Sequence, residues 1–137
     1  MDHIIIDGKD LIMGRLASFA AKQALLGKKV DIINCELVII TGKRKELIEE
    51  FKQKLGRGNV FKGPFISKSP DRLVRRMIRG MIPYKKARGK TAFQNIMCYN
   101  TIPETFKDKK AITLKDAHIS RLASINYLTV REISILL

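Results

Sequence analysis

A chain of 137 residues, 45% of them hydrophobic, is long enough to bury one core and too apolar to be a disordered basic tail. It carries 27 Lys and Arg against 13 Asp and Glu, a formal net charge of +14, so its expected partner is a polyanion: nucleic acid first, an acidic membrane surface well behind. The two cysteines, Cys35 and Cys98, and the two histidines, His3 and His118, are scattered, which gives no metal-ligand spacing and little basis for a Cys/His nucleophile.

Taken in order, residues 3–7 (HIIID) read as a short buried strand closed by Asp7-Gly8. Asp7 and Lys9 interrupt this apolar start and no run approaches spanning length, so neither a signal peptide nor a membrane helix is expected. Residues 13–26 read as a helix with Leu16, Phe19, Ala20 and the turn from Gln23 to Leu26 inward. Arg15 lies near its start, on a side open to phosphate. Gly27-Lys28-Lys29 supplies the glycine and the cations that helix C-termini favour. Residues 30–34 (VDIIN) and 37–41 (LVIIT) read as strands broken around Cys35-Glu36, and such β-branched runs suit burial on both faces. Thr41-Gly42 leads into a helix over 43–55, with Leu47, Ile48, Phe51 and Leu55 inward and Lys43 and Arg44 at its start. Cys35 and Cys98 sit in apolar strand-like contexts and are expected as buried free thiols in a reducing cytosol.

Residues 56–64 form the longest irregular stretch, carrying Arg57 and Lys62 and leading past Lys68 into the most distinctive segment of the chain. In 69–90, SPDRLVRRMIRGMIPYKKARGK, Ser69 reads as a cap, Pro70 as the first helical residue and Asp71 as a dipole partner. Leu73, Val74, Met77, Ile78 and Met81 fall on one face; Arg72, Arg75, Arg76 and Arg79 fall on the other. Pro83 ends the helix, and Tyr84, Lys85, Lys86, Arg88 and Lys90 follow in a basic loop. Residues 51–90 hold 13 of the basic side chains against Asp71 alone, so a nearly neutral scaffold carries one concentrated cationic region. A solvated charged face usually mixes signs; this one does not, which favours phosphate contact by guanidinium forks. Residues 91–95 read as a helical turn, 96–100 (IMCYN) as a strand, and 104–110 as a polar connection. Thr129-Val130-Arg131-Glu132 is a capping box opening a short last helix. The elements together predict a single-domain α/β sandwich over 1–137, with about four strands, mostly parallel.

Enzyme signatures fail when tested. Gly89-Lys90-Thr91 resembles the end of a phosphate-binding loop, but Tyr84 stands where that loop needs glycine. Thr41-Gly42-Lys43 lacks a dinucleotide fingerprint, and Gly56-Arg57-Gly58 is a weak signal. Asp7, Asp10, Asp31 and Glu36 each have a ready reading as strand end, cap or surface charge.

Six motifs in order cover nearly the whole chain: Ile6-Asp7-Gly8, Met13-Gly14-Arg15-Leu16-Ala17-Ser18, Ile33-Asn34-Cys35-Glu36, Ile40-Thr41-Gly42-Lys43, Arg79-Gly80-Met81-Ile82-Pro83 and Tyr99-Asn100-Thr101-Ile102-Pro103. They resemble the universal large-subunit ribosomal protein thirteen family. The length and the ending Tyr127-Leu128-Thr129-Val130 resemble its archaeal and eukaryotic branch, in a short archaeal-like form. Cys35 stands where that family commonly has alanine, and Tyr84 where it commonly has histidine. The resemblance implies a three-layer α/β/α fold and a structural role in the cytoplasmic large subunit, beside large-subunit ribosomal RNA and neighbouring ribosomal proteins. It implies no enzyme activity, cofactor, small-molecule substrate or membrane. Carried over, the Gly14-Arg15 turn and the Arg79–Pro83 motif, with Lys85 and Arg88, face RNA.

Phosphate neutralisation is then the expected mechanism, with specificity from RNA shape, because no pair of exposed aromatics reads as a base-stacking platform. Tyr84 suits either stacking on a base or packing over the end of the arginine helix. Two other readings stand beside this one: an RNA- or nucleotide-modifying enzyme, marked by a polar pocket around Asp7, Asn34 and Thr41, and a free-standing regulatory RNA binder.

Overall fold

The computed structural model describes residues 2–123 and 125–137. The chain runs β1 (His3–Asp7), α1 (Met13–Leu25), β2 (Lys29–Ile33), β3 (Ile39–Thr41), α2 (Arg44–Leu55), α3 (Pro70–Arg79), α4 (Ala87–Gln94), β4 (Ile96–Cys98), β5 (Tyr127–Thr129) and α5 (Val130–Leu136). Short 3₁₀ turns at Cys35–Leu37, Glu104–Phe106, Lys115–Ala117 and Ile119–Arg121 join them. The expected α/β class stands. Among the described residues, no helix is long and apolar enough to cross a membrane.

The central sheet is parallel, in the order β1-β2-β4. β2 lies in the middle and is buried from Val30 to Ile33, with Asp31 buried among the β-branched Val30, Ile32 and Ile33. Alternation divides the two faces. Ile6, Val30, Ile32, Ile96 and Cys98 join the helices α1 and α3 in the main core. Ile5 and Ile33 face the other way, under Phe106 from the 3₁₀ turn Glu104–Phe106.

The strand expected over 37–41 does not enter this sheet. A parallel neighbour needs a crossover of a dozen or more residues, and the link from β2 to β3 is far shorter. Instead, left-handed Asn34 (φ 56°) and the 3₁₀ turn Cys35–Leu37 swing the chain out, and β3 pairs antiparallel with β5. A smaller core of Leu47, Leu128 and Ile133 joins α2, β5 and α5. The expected cap of the last helix is present: Thr129 Oγ1 accepts from Glu132 N at 3.2 Å.

α1 stops where the glycine predicts. Gly27 takes φ +92°, its N–H donates to Ala24 O at 3.0 Å, and Lys28 N donates to Gln23 O at 3.2 Å, so the freed carbonyls are satisfied. Leu26, expected inward, is exposed, because the chain turns at this cap; alanines 17, 20, 21 and 24 and Leu16 make the inner stripe instead.

α3 departs from expectation in three ways. Its start is not capped by Ser69, whose hydroxyl bonds the Asp71 carboxylate; Asn100, beyond β4, accepts from Asp71 N at 2.9 Å. It ends at Arg79, four residues before Pro83. Leu73, Val74 and Ile78 are buried, but Met77 and Met81 are 39% and 43% exposed. They border an apolar cleft of about 490 Å³, reached also by Phe51, Leu55, Pro64 and Ile66, because α2 and the loop before α3 stand off from this edge. The second half of the expected basic loop is α4. Its interior Gly89 hid the helix from composition, yet the residue is obligatory: a Cβ there would lie 1.8 Å from Pro83 O.

Candidate nucleic-acid interface

The residues proposed for RNA fall in several places. Arg72, Arg75, Arg76 and Arg79 of α3 line one cleft of about 310 Å³, together with Phe65, Ser67 and Phe93. The helical repeat brings the arginines to one face; the chain before α3 and the end of α4 supply the walls. Arg57 and Arg76 reach the apolar cleft on the far side of α3, where Lys54 joins them. Arg88, in the first turn of α4, lies with Lys22 and Leu26 around a separate groove. Arg15 lines another groove, with Lys115, that shares Ser18 and Lys22 of α1 with the Arg88 groove. Lys62 is exposed within a tight loop closed by Asn59 and Gly63, whose main chains exchange hydrogen bonds of 3.0 and 2.8 Å. Lys85, Lys86 and Lys90 are exposed around the start of α4, and Lys43 and Arg44 at the start of α2.

These groups are not equally free. Arg75 is turned inward: Nε donates to Ile96 O at 3.0 Å, Nη2 donates to Phe93 O at 3.2 Å, and the guanidinium lies 3.9 Å from the centre of the Phe93 ring. It ties α3 to the end of α4 and the start of β4, and so differs from the free phosphate ligand expected of it. Arg15 Nη1 donates to Asp116 O at 2.8 Å, and Lys68 Nζ to the Leu137 main-chain oxygen at 2.9 Å. Arg79 lies 4.9 Å above the Tyr84 ring, so Tyr84 packs over the end of the arginine helix, the second of its two expected positions. Among the described residues, none of the fourteen cations proposed for RNA pairs with an Asp or Glu side chain. Repulsion within such a set opposes folding, and a bound polyanion relieves it.

The polar groups at the strand ends are engaged locally. Asp7 Oδ1 accepts from Asn34 Nδ2 at 2.9 Å and from Lys9 N at 3.0 Å, which holds the turn after β1. Asp31 is fully buried and bonded to His3 across the β1–β2 pair. Cys35 and Cys98, far apart in sequence, meet in the core. Hydrogen bonding with the Cys98 thiol, then burial, pushes the Cys35 thiol well above its ordinary range. Desolvation and then the Asp31 charge push the Tyr99 hydroxyl upward.

The sequence model of the family described as Ribosomal protein L13 matches residues 1–105. The chain belongs to this family. It is 41% identical over 131 residues to the large ribosomal subunit protein uL13 of Methanosarcina barkeri, covering 95% of this chain and 94% of that protein. The uL13 proteins of Haloarcula marismortui and Thermoplasma volcanium are 39% and 38% identical, over 96% and 95% of this chain and 88% and 94% of their own lengths. The family is one of ribosomal proteins, not of enzymes.

Sequence reasoning missed one class of residue in this L13-family protein. Val60, Phe61 and Phe65 are exposed at 87%, 88% and 75%, large apolar side chains that the reading of the sequence did not single out. The signal was present: three large apolar residues in a Gly- and Pro-rich stretch with no periodicity have no element face to bury them.

Proposed function

We propose that this protein is a structural constituent of the large ribosomal subunit in the cytoplasm, and that it binds and stabilises folded ribosomal RNA by neutralising crowded phosphates. Residues 51–90 are the RNA-facing region of a single domain, with neighbouring ribosomal proteins as further partners. Family membership supports the ribosomal part of this reading. The observation that carries the RNA part is the set of guanidiniums on α3, together with the exposed Lys62, Lys85 and Lys86, without a carboxylate partner among the described residues. Arg72 and Arg76 are the leading phosphate ligands; Arg75 contributes its charge from a fixed position. No cofactor or small-molecule substrate enters this role.

The test is filter binding to deproteinised large-subunit ribosomal RNA over a salt series. With about −0.7 in log–log slope per phosphate contact, ~6 contacts give a slope near −4. Affinity nearly flat between low and physiological salt would overturn the mechanism. Sucrose-gradient fractions of a cell lysate check the location: the chain should travel with the large subunit.

A further inference from the structure

We propose that the cleft along α3 is a nucleotide pocket, which takes one unstacked base of single-stranded or looped RNA rather than phosphate alone. This deepens the proposed function and rests on its RNA binding. Four arginines would be enough to hold a phosphate, but the cleft also has two aromatic walls. Phe65 stands 75% exposed on one side, a poor position for a phenyl ring in water unless something stacks on it. Phe93, half-buried, also lines the cleft, beneath the Arg75 guanidinium, which lies 3.9 Å from the ring centre. Hydrogen bonds to Phe93 O and Ile96 O lock that guanidinium plane before any ligand arrives. A volume of about 310 Å³ matches the lower end of small-ligand pockets, about 300–1,000 Å³. A base entering here stacks on the Phe65 ring. Its flanking phosphates meet Arg72, Arg76 and Arg79. Recognition by stacking plus backbone charge is how unpaired nucleotides are commonly held.

The chain contains no tryptophan, so Phe65→Trp introduces a background-free indole reporter at an exposed site. Titrating it with oligouridylate should quench the emission, while inorganic polyphosphate, which has charge and no bases, should compete for binding without quenching. Equal quenching by both polyanions would overturn the pocket. Independently, Phe65→Ala and Phe65→Leu should lower affinity for large-subunit ribosomal RNA about 5- to 150-fold, the range of one lost base stack, with an unchanged salt slope. If both variants bind like the unsubstituted chain while the steep salt dependence persists, the base pocket is wrong and phosphate neutralisation stands. A flat salt dependence of the unsubstituted chain would remove both.

Discussion

The sheet with α1 and the segment from 56 to 90 treat polar groups in opposite ways. In the first, most charged or polar side chains near the core are engaged by the chain itself: Asp31 with His3 through one carboxylate oxygen, its Oδ1 being buried without a partner among the described residues, Asp7 with Asn34, and the Cys35 thiol with the Ile32 carbonyl. In the second, cations project without carboxylates among the described residues, and Val60, Phe61 and Phe65 lie in solvent. A closed set of interactions gives a scaffold its shape. An open set marks where another molecule completes the structure. Arg75 and Arg76 place the boundary between neighbours: one bonds two carbonyls, the other stands at the mouth of two clefts.

This contrast can be broken or sharpened by substitution, starting with the scaffold. Ile78 is fully buried between α3 and the core, so Ile78→Ala should cost about 2–5 kcal/mol in thermal or urea unfolding. Met77→Ala, at the open cleft, should cost far less. Equal losses would mean that the cleft is closed in solution.

Arg75→Ala should come next, at about 1–3 kcal/mol, because two carbonyls lose a charged donor and Phe93 loses its cation. Arg75→Lys retains the charge but not the two-point geometry, and should recover only part of the melting temperature. A wild-type melting temperature for Arg75→Ala would move this residue to the open side of the boundary.

The thiol pair gives a smaller effect that depends on pH. The folded state disfavours Cys35 ionisation, so its stabilisation is complete below the unfolded thiol value, about 8.5, and declines as pH rises above it. By pH 9 the loss should remain under about 1 kcal/mol. Urea midpoints from pH 7 to 10 should fall more steeply for the unsubstituted chain than for Cys35→Ala; parallel curves would show that Cys35 ionises normally in the fold.

Arg76→Ala should have the smallest effect on stability, under about 0.5 kcal/mol, since the side chain is exposed. Its effect should appear in RNA binding, with the salt slope reduced by about one unit or less. Early melting with normal binding of the folded variant would place Arg76 with the scaffold.

Periodicity found most elements because the buried faces of β1, β2 and α1 are written in neighbouring residues. It placed Leu73, Val74 and Ile78 correctly for the same reason. It misplaced Met77 and Met81, since a repeat shows which residues share a face but not whether a neighbouring helix covers it. Arg75 was grouped with its helix-mates because the carbonyls that turn it inward belong to residues 93 and 96. The Asn100 cap and the Cys35–Cys98 contact are likewise distant in the chain. The basic character of the site was legible as composition. Its aromatic walls were legible only as residues without a face to occupy.

The orientation of α3 is held at two points by the same later segment, Asn100 at its first turn and the Ile96 carbonyl at its middle. A nascent chain emerging N-terminus first therefore exposes 21 of its 27 Lys and Arg side chains before it can align them. Until residues 93–100 have left the ribosome that makes them and joined β2, the arginine fan has charge but no fixed direction. In the proposed RNA-binding role, charge attraction would precede docking by shape, and the order of synthesis would separate the two.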